Sequence, residues 1–258
     1  MKLLNIDSNA KTVKGQKQGY MTAVLYLAPY STSGVNLCPM ADQAGCAAGC
    51  LNTSGRGGIS KDSAVFATDG GELPDNTIQR ARIARAELFN NDREAFMQQL
   101  VKEIQAFQRK AERKGLVPVV RLNGTSDILW ETIPVGDHAN IMAMFPDLQF
   151  YDYTKVYKRV MRPLPANYHL SVSYSEASQK YALSAAAVTH QSNINLVVVF
   201  RDELPETYLG RPVINGDESD LRFLDEPGVI VGLKAKGRAK KDASGFVIDP
   251  HPFTIIAA

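Results

Sequence analysis

Val117-Pro118-Val119-Val120-Arg121-Leu122, followed directly by Asn123-Gly124-Thr125-Ser126-Asp127, is the stretch of sequence that decides the fold. Its first part is too short for a typical helix and is rich in valine, which predicts a buried strand. The segment before it, residues 93–114, carries its apolar residues on one helical face and ends at a glycine, which predicts a helix. A helix, a buried strand and a polar loop therefore follow one another.

Further apolar runs predict strands of the same kind. They occupy residues 21–27, 148–151, 168–172, 194–200 and 229–233, and residues 211–214 are a candidate seventh strand. Helix-compatible stretches lie between several of these runs, which favours parallel strands joined by crossovers. We therefore expect an α/β fold, specifically a single-domain partial (β/α) barrel of about six or seven mostly parallel strands.

Length and composition limit the domain organisation. A chain of 258 residues with 45% hydrophobic content can bury one large core. Residues 9–18 are polar and rich in lysine, so we predict a flexible N-terminal lead-in over residues 1–18 and one barrel-like domain over residues 19–258. No apolar run is long enough to span a bilayer, and the N-terminus lacks a signal-peptide core, so we expect a cytoplasmic protein with no membrane partner.

The loop after the first predicted strand contains every cysteine of the chain: Cys38, Cys46 and Cys50. In a reducing cytoplasm, clustered thiols more often bind a metal or do chemistry than form disulfides. A four-iron, four-sulfur cluster held by three cysteines leaves one iron open for a small ligand, which favours an enzyme. Zinc is the alternative, although a structural zinc site normally takes four protein ligands. Buried, unmetallated thiols are the third interpretation.

Polar residues follow the predicted strands at the end where α/β folds carry their reactive groups. Asp127 and Asp152 are candidate proton acceptors or ligand-orienting carboxylates. Lys155 and Lys234 are also candidates for catalysis, because helix caps at such positions favour acceptors rather than ammonium groups. Helix capping alone is the simpler explanation for any single polar residue in these loops.

Basic residues are concentrated in one late segment, residues 234–241. Lysine and arginine (29) nearly balance aspartate and glutamate (27), and the formal net charge is +2, so the chain as a whole lacks a basic nucleic-acid footprint. A nucleic-acid partner would have to use this local patch, which a solvated basic loop explains equally well.

Several of these stretches resemble a known family. Asn36-Leu37-Cys38-Pro39, residues 121–127 and Phe150-Tyr151-Asp152-Tyr153-Thr154-Lys155 resemble a phage and plasmid family called after phage gene product eighty-eight. The likeness covers residues 19–246. It implies a protein of phage or plasmid origin.

The placement of the cysteine loop more distantly resembles radical S-adenosylmethionine enzymes. In those enzymes three and then two residues separate the cysteines, whereas seven (39–45) and three (47–49) separate them here. The resemblance implies that the three cysteines bind a four-iron cluster, whose open iron takes the amino and carboxylate groups of S-adenosylmethionine. It implies further cofactor contacts from Gly124, Thr125, Ser126, Asp127, Ser173 and Glu176. The substrate side would be lined by Lys155, Asp217 and Lys234.

The function we expect is therefore an iron–sulfur enzyme of phage or plasmid origin, with a radical mechanism as its most specific version. The alternative is a zinc-stabilised nucleic-acid-binding protein of phage replication or host takeover. The first needs a small-molecule cofactor, and the second needs the basic segment.

Overall fold

The computed structural model describes residues 1–7, 10–54, 57 and 76–250 of the chain. Its helices are α1 (Ala10–Gly15), α2 (Thr77–Asn91), α3 (Arg93–Glu112), α4 (Ile141–Met144) and α5 (Gln179–Ser192). Its strands are β1 (Leu4–Ile6), β2 (Tyr20–Leu25), β3 (Val117–Arg121), β4 (Gln149–Thr154), β5 (Tyr168–Ser173), β6 (Leu196–Phe200), β7 (Thr207–Tyr208), β8 (Arg211–Asn215), β9 (Ile230–Lys234) and β10 (Val247–Ile248).

The ten strands form one sheet in the order β1-β2-β3-β4-β5-β6-β9-β8-β7, and β10 pairs with β6. Only the two outer pairs, β1 with β2 and β7 with β8, are antiparallel. In the described part of the chain β1 and β7 do not pair with each other, so the sheet is not closed. The expected α/β class and mostly parallel sheet are confirmed, whereas a barrel is not confirmed and the expected six or seven strands are too few.

The strands that the sequence did not predict are short. All seven predicted apolar runs form strands, namely β2, β3, β4, β5, β6, β8 and β9. The three others are β1, β7 and β10, which are two or three residues long. A segment of that length cannot display the alternation that identifies a strand in a sequence.

The N-terminal segment also differs from expectation. Within residues 1–18, expected to be a flexible lead-in, the structure places β1 and α1. Leu3 and Leu4 are buried in the main core, and their backbone N–H groups donate to the Glu103 carboxylate on α3 at 2.8–3.0 Å. Burial of these two side chains ties the segment to the sheet, although the surrounding sequence has no apolar period.

Helix α3 covers one face of the sheet. It begins after Asp92, whose side chain accepts a hydrogen bond from the Ala95 N–H at 2.9 Å. Its apolar face is fully buried and includes Phe96, Leu100, Ile104 and Phe107. Each such side chain contributes roughly 1.5–3 kcal/mol by leaving water. No helix among the described residues is both long and apolar enough to cross a membrane.

The order of the strands determines where a site can form. Strands β2 to β6 are neighbours in chain order and pair in parallel, so their carboxyl ends lie along one edge of the sheet. The loops that follow β2, β3, β4 and β5 meet at this edge. The cysteine loop is the first of them.

Candidate cysteine site at the carboxyl edge of the sheet

The cysteine loop is tied to the ends of two other strands. The Asp127 N–H, in the loop after β3, donates to the Leu37 carbonyl at 2.9 Å. After β5, the Ser175 hydroxyl donates to the Ala44 carbonyl at 2.7 Å, and both residues are buried. These bonds hold the loop across the carboxyl ends of β3 and β5.

The three cysteines lie close together, and none is disulfide-bonded. Cys38 approaches the Thr125 carbonyl with its sulfur at 3.8 Å, and the Cys50 sulfur accepts from the Asn52 N–H at 3.4 Å. Burial raises the pKa of all three thiols, and that of Cys50 to about 11. Negative charge on Cys46 would raise the pKa of the other two further, which places the three side chains within electrostatic reach of each other. Without a positive partner they are thiols rather than nucleophilic thiolates at neutral pH.

Lys155 brings a positive charge beside these thiols. It follows β4, and its ammonium group donates to the Ser173 hydroxyl at 2.9 Å and lies 4.6 Å from the ring centre of Phe246. Burial lowers the pKa of Lys155, while Cys46, Asp127 and Cys50 act in the opposite direction. The ammonium is thus held among protein groups at the cysteine site, and Ser173 is one of its acceptors.

Asp127 positions the chain around Lys155. Its Oδ2 accepts from the Lys155 N–H at 2.7 Å, and its Oδ1 accepts from the Thr154 hydroxyl at 2.8 Å and from Arg159 at 3.1 Å. Burial raises the pKa of Asp127, and Arg159 is the largest influence that lowers it. Both carboxylate oxygens are occupied, so in this structure Asp127 orients the end of β4.

Asp152 belongs to a network that extends beneath the loops. Its Oδ1 accepts from the Asn123 N–H at 2.7 Å and its Oδ2 from the Tyr168 hydroxyl at 2.9 Å. The Tyr168 oxygen in turn accepts from Arg159 at 3.0 Å, and Arg159 also pairs with Glu131 at 2.6 Å. Burial raises the pKa of Asp152 to about 7. The network links Asp152 to Asp127 through two side chains.

The residues after β3 that were predicted to contact a cofactor instead form hydrogen bonds and close contacts within the protein. A Cβ at Gly124 would lie 2.7 Å from the Leu25 carbonyl oxygen, so only glycine fits this close approach to β2. The Thr125 hydroxyl donates to the Leu27 carbonyl at 2.6 Å, and the Ser126 hydroxyl donates to Asn123 at 3.0 Å. These residues pin the loop after β3 to the start of the cysteine loop.

The side chains of Glu176 and Lys234 are not among the contacts that the cysteines make in this structure. The Glu176 carboxylate accepts hydrogen bonds from Tyr208 and, at 3.3 Å, from Tyr174. Lys234 is exposed, and its backbone N–H donates to Asp217 at 3.0 Å. Asp217 also binds the ammonium groups of Lys11 and Lys236, at 2.8 and 2.7 Å, which holds its pKa well below the usual range. The structure therefore brings together the cysteines, Asp127, Lys155 and Ser173, and places Glu176, Asp217 and Lys234 in other contacts.

One component of the site was absent from the sequence-based prediction. Residues 234–249, which we call the strap, pass over the cysteine loop. A Cβ at Gly49 would lie 3.1 Å from the Phe246 ring, and the Ser244 hydroxyl donates to the Gly45 carbonyl at 3.0 Å. The sequence signal was Ala235 and Ala239, four residues apart within an otherwise basic run, and both are buried in the structure.

The two metal centres expected at the three cysteines, a single zinc ion and a four-iron cluster, make different geometric demands. Among the described residues, no three or more His, Cys, Asp or Glu side chains are placed to hold a metal ion. A single zinc ion needs its ligands to converge on one point at about 2.3 Å from each sulfur. In a four-iron cluster each cysteine binds a different iron, so the thiolates need no common point. Three cysteine thiols match a cluster in donor type, and among the described residues they are not placed to hold a single ion.

Comparisons with known proteins place the chain in a family. No curated protein and no solved structure matches it, so the radical S-adenosylmethionine resemblance finds no support there. The family model described as "Gene product 88" matches residues 1–250, which is nearly the whole chain. The chain belongs to the gene product 88 family.

Proposed function

We propose that this protein is an iron–sulfur enzyme whose cluster is held by Cys38, Cys46 and Cys50. The observation that carries the proposal is the placement of the loop with all three cysteines at the carboxyl edge of the sheet, where the Lys155 ammonium interacts with Cys46 and Cys50. Ligands and reacting groups in open α/β sheets gather at this edge. The substrate is not part of the proposal.

Charge balance supports the cluster. A dipositive four-iron core held by three thiolates carries one net negative charge, and a buried charge needs a partner. Lys155 supplies one positive charge beside Cys46 and Cys50. Three protein thiolates also leave one iron free to bind a small molecule, which is the arrangement of a cluster that does chemistry.

The test is anaerobic purification followed by measurement of iron, acid-labile sulfide, zinc and the visible absorption spectrum. We expect about four irons and four sulfides per chain and a brown chromophore. Cys46→Ala should lose the iron and the colour while its circular dichroism stays that of the parent. The control Ala48→Ser changes an exposed residue of the same loop and should keep both.

Two results would refute the proposal: a colourless protein with one zinc, or a Cys46→Ala variant with full iron loading. If the cluster is present, cleavage of S-adenosylmethionine under reducing conditions tests the radical mechanism separately.

A second candidate is a zinc-stabilised nucleic-acid-binding protein. The observation that favours it is the exposure of all five basic side chains of residues 234–241: Lys234, Lys236, Arg238, Lys240 and Lys241. Binding that weakens steeply with salt, by a protein containing one zinc and no iron, would establish this alternative.

A further inference from the structure

The strap has two faces of opposite character. Ala239 and Phe246 are buried against the cysteine loop, whereas Lys240 and Lys241 are exposed. We propose that the phosphate backbone of a nucleic acid binds the exposed face and thereby holds the strap closed over the cysteine site. This inference concerns regulation of the same site and rests on the proposed function for what the site contains.

The inner face seals the thiols with few side chains. Ala235, Ala239, Phe246 and Val247 form a small apolar cluster, separate from the main core, against which Cys46 and Val199 pack. The Ser244 hydroxyl donates to the Gly45 carbonyl at 3.0 Å. The Gly245 carbonyl accepts from the Glu176 N–H at 2.8 Å and from the Ser175 hydroxyl at 3.3 Å. The stretch between β9 and β10 is held by this cluster and these hydrogen bonds, so it can open while β9 and β10 stay in the sheet.

Arg201 contacts the strap at three residues. From the end of β6 its guanidinium donates to the Lys240 carbonyl at 3.1 Å and the Asp242 carbonyl at 3.0 Å, and pairs with Asp249 at 3.0 Å. The ion pair is partly exposed, and such pairs contribute about 0–1 kcal/mol. These contacts therefore fix the path of the strap but contribute little free energy to keeping it closed.

The outer face concentrates like charge. Five cations lie within eight residues, and the carboxylates that face this stretch are Asp217, paired with Lys236, and Asp242, which accepts from the Val247 N–H and the Ser244 hydroxyl. In the closed strap these cations are held in one fixed arrangement on the surface. A bound phosphate backbone neutralises them and releases counterions.

The direction of the coupling follows from this arrangement. A ligand shifts a conformational equilibrium only by binding one state more tightly, and the closed strap presents its cations in an arrangement already fixed for a phosphate backbone. By linkage, nucleic acid that favours the closed strap lowers the exposure of the thiols, and opening the strap weakens nucleic-acid binding.

The test measures thiol access with and without nucleic acid. Access is followed in the full-length protein as purified, with and without a saturating single-stranded 20-nucleotide DNA. Chains without a cluster are followed by iodoacetamide alkylation of each cysteine, read by mass spectrometry, and chains with a cluster by the rate at which an iron chelator removes the visible absorption. We expect DNA to slow alkylation of Cys46 and Cys50, or removal of the cluster, by roughly fivefold or more. Inorganic phosphate at the same phosphate concentration should leave the rate unchanged.

A variant that lacks two lysines of the strap tests whether its exposed face is needed for the protection by DNA. Lys240→Gln with Lys241→Gln should weaken DNA binding, lower its salt slope by about 1.4 for two lost contacts to a single strand, and remove the protection. The matched control, Lys102→Gln with Lys114→Gln, removes the same charge from exposed positions on α3 and just beyond it and should behave as the parent.

The proposal is overturned if DNA does not bind, if DNA binds without slowing alkylation or cluster removal, or if protection survives in the strap variant. Metal content is measured on the same preparations. A protein without iron that still shows DNA-dependent protection would refute the iron–sulfur proposal alone, and an iron–sulfur protein without protection would refute the coupling alone.

Discussion

At the scale of single residues, the site depends on side chains that hold other side chains. Asp127 fixes the backbone of Lys155 by one hydrogen bond and is itself held by Arg159. Arg159 is almost fully buried and also binds Glu131 and Tyr168. Buried charges of this kind are stable only when each has its partner.

Asp152 gives a pH-dependent prediction. Burial raises its pKa from 3.8 to about 7, so between about pH 4 and 7 the folded protein keeps a proton that the unfolded chain releases. The contribution of Asp152 to the free energy of unfolding is complete below pH 4 and is lost as the pH rises through 7. The total loss over this range is roughly 4 kcal/mol. Relative to Asp152→Asn, the parent should therefore lose unfolding free energy between pH 4.5 and pH 8 in urea denaturation.

The control for this comparison is Asp147→Asn, which removes an exposed carboxylate from the turn before β4. Equal pH dependence in the parent and in Asp152→Asn would mean that Asp152 is ionised in the folded protein throughout this range.

The sequence predicted some of these residues and not their partners. That Cys38, Cys46 and Cys50 share a loop is visible in the chain itself. The contact between Asp127 and Arg159 joins residues 32 positions apart, and it exists only because β3 and β4 are adjacent in the sheet. One sequence gives the order of strands along the chain but not their neighbours in space, so the orienting role of Asp127 could not be deduced.

At the scale of elements, the strap is the part of the site that sequence patterns concealed. Its strand β10 has two residues and pairs with β6 beyond the point where β5 pairs with β6. The seven longer strands were predictable because each carries a run of Val, Ile or aromatic residues. The first half of the strap, residues 234–241, carries only Lys, Arg, Ala and Gly, which is typical of a surface loop. Its proposed function as a cover arises from packing rather than periodicity.

Phe246 anchors the strap, so Phe246→Ala should open it. Loss of a buried phenylalanine side chain removes roughly 1.5–3 kcal/mol, and about 1.4 kcal/mol changes an equilibrium tenfold. In chains without a bound cluster and without nucleic acid, we expect iodoacetamide to alkylate Cys46 and Cys50 about tenfold faster or more in this variant. The far-ultraviolet circular dichroism should be retained.

Phe145→Ala is the matched comparison. Phe145 is as buried as Phe246, each being 9% exposed, but it packs in the main core next to α4. This variant should lower global stability and leave native-state alkylation near the parent rate. Alkylation of Phe246→Ala at the parent rate would show that the strap does not limit access.

At the scale of the whole molecule, one continuous core joins the two ends of the described chain. The main apolar cluster includes Leu3 near the N-terminus and Ile248 near the other end, and the sheet is continuous between them. Such continuity favours cooperative unfolding of the predicted single domain.

The single tryptophan of the chain provides a test of cooperative unfolding. Trp130 is fully buried, contacts Phe89 and Phe96, and donates to Asn123 at 3.1 Å. Its fluorescence and the far-ultraviolet circular dichroism should change at the same urea concentration. Separate midpoints would indicate two independently unfolding units and contradict a single domain.

The position of the strap also has a consequence during translation. The ribosome makes the cysteine loop early and the strap late, with about 180 residues between Cys50 and Lys234, or about 10–40 s of synthesis at 5–20 residues per second. For that time the nascent chain has its thiols but not their cover. A group too large to pass the closed strap has its easiest entry while the protein is still being made, so co-expressed assembly factors would act on nascent chains.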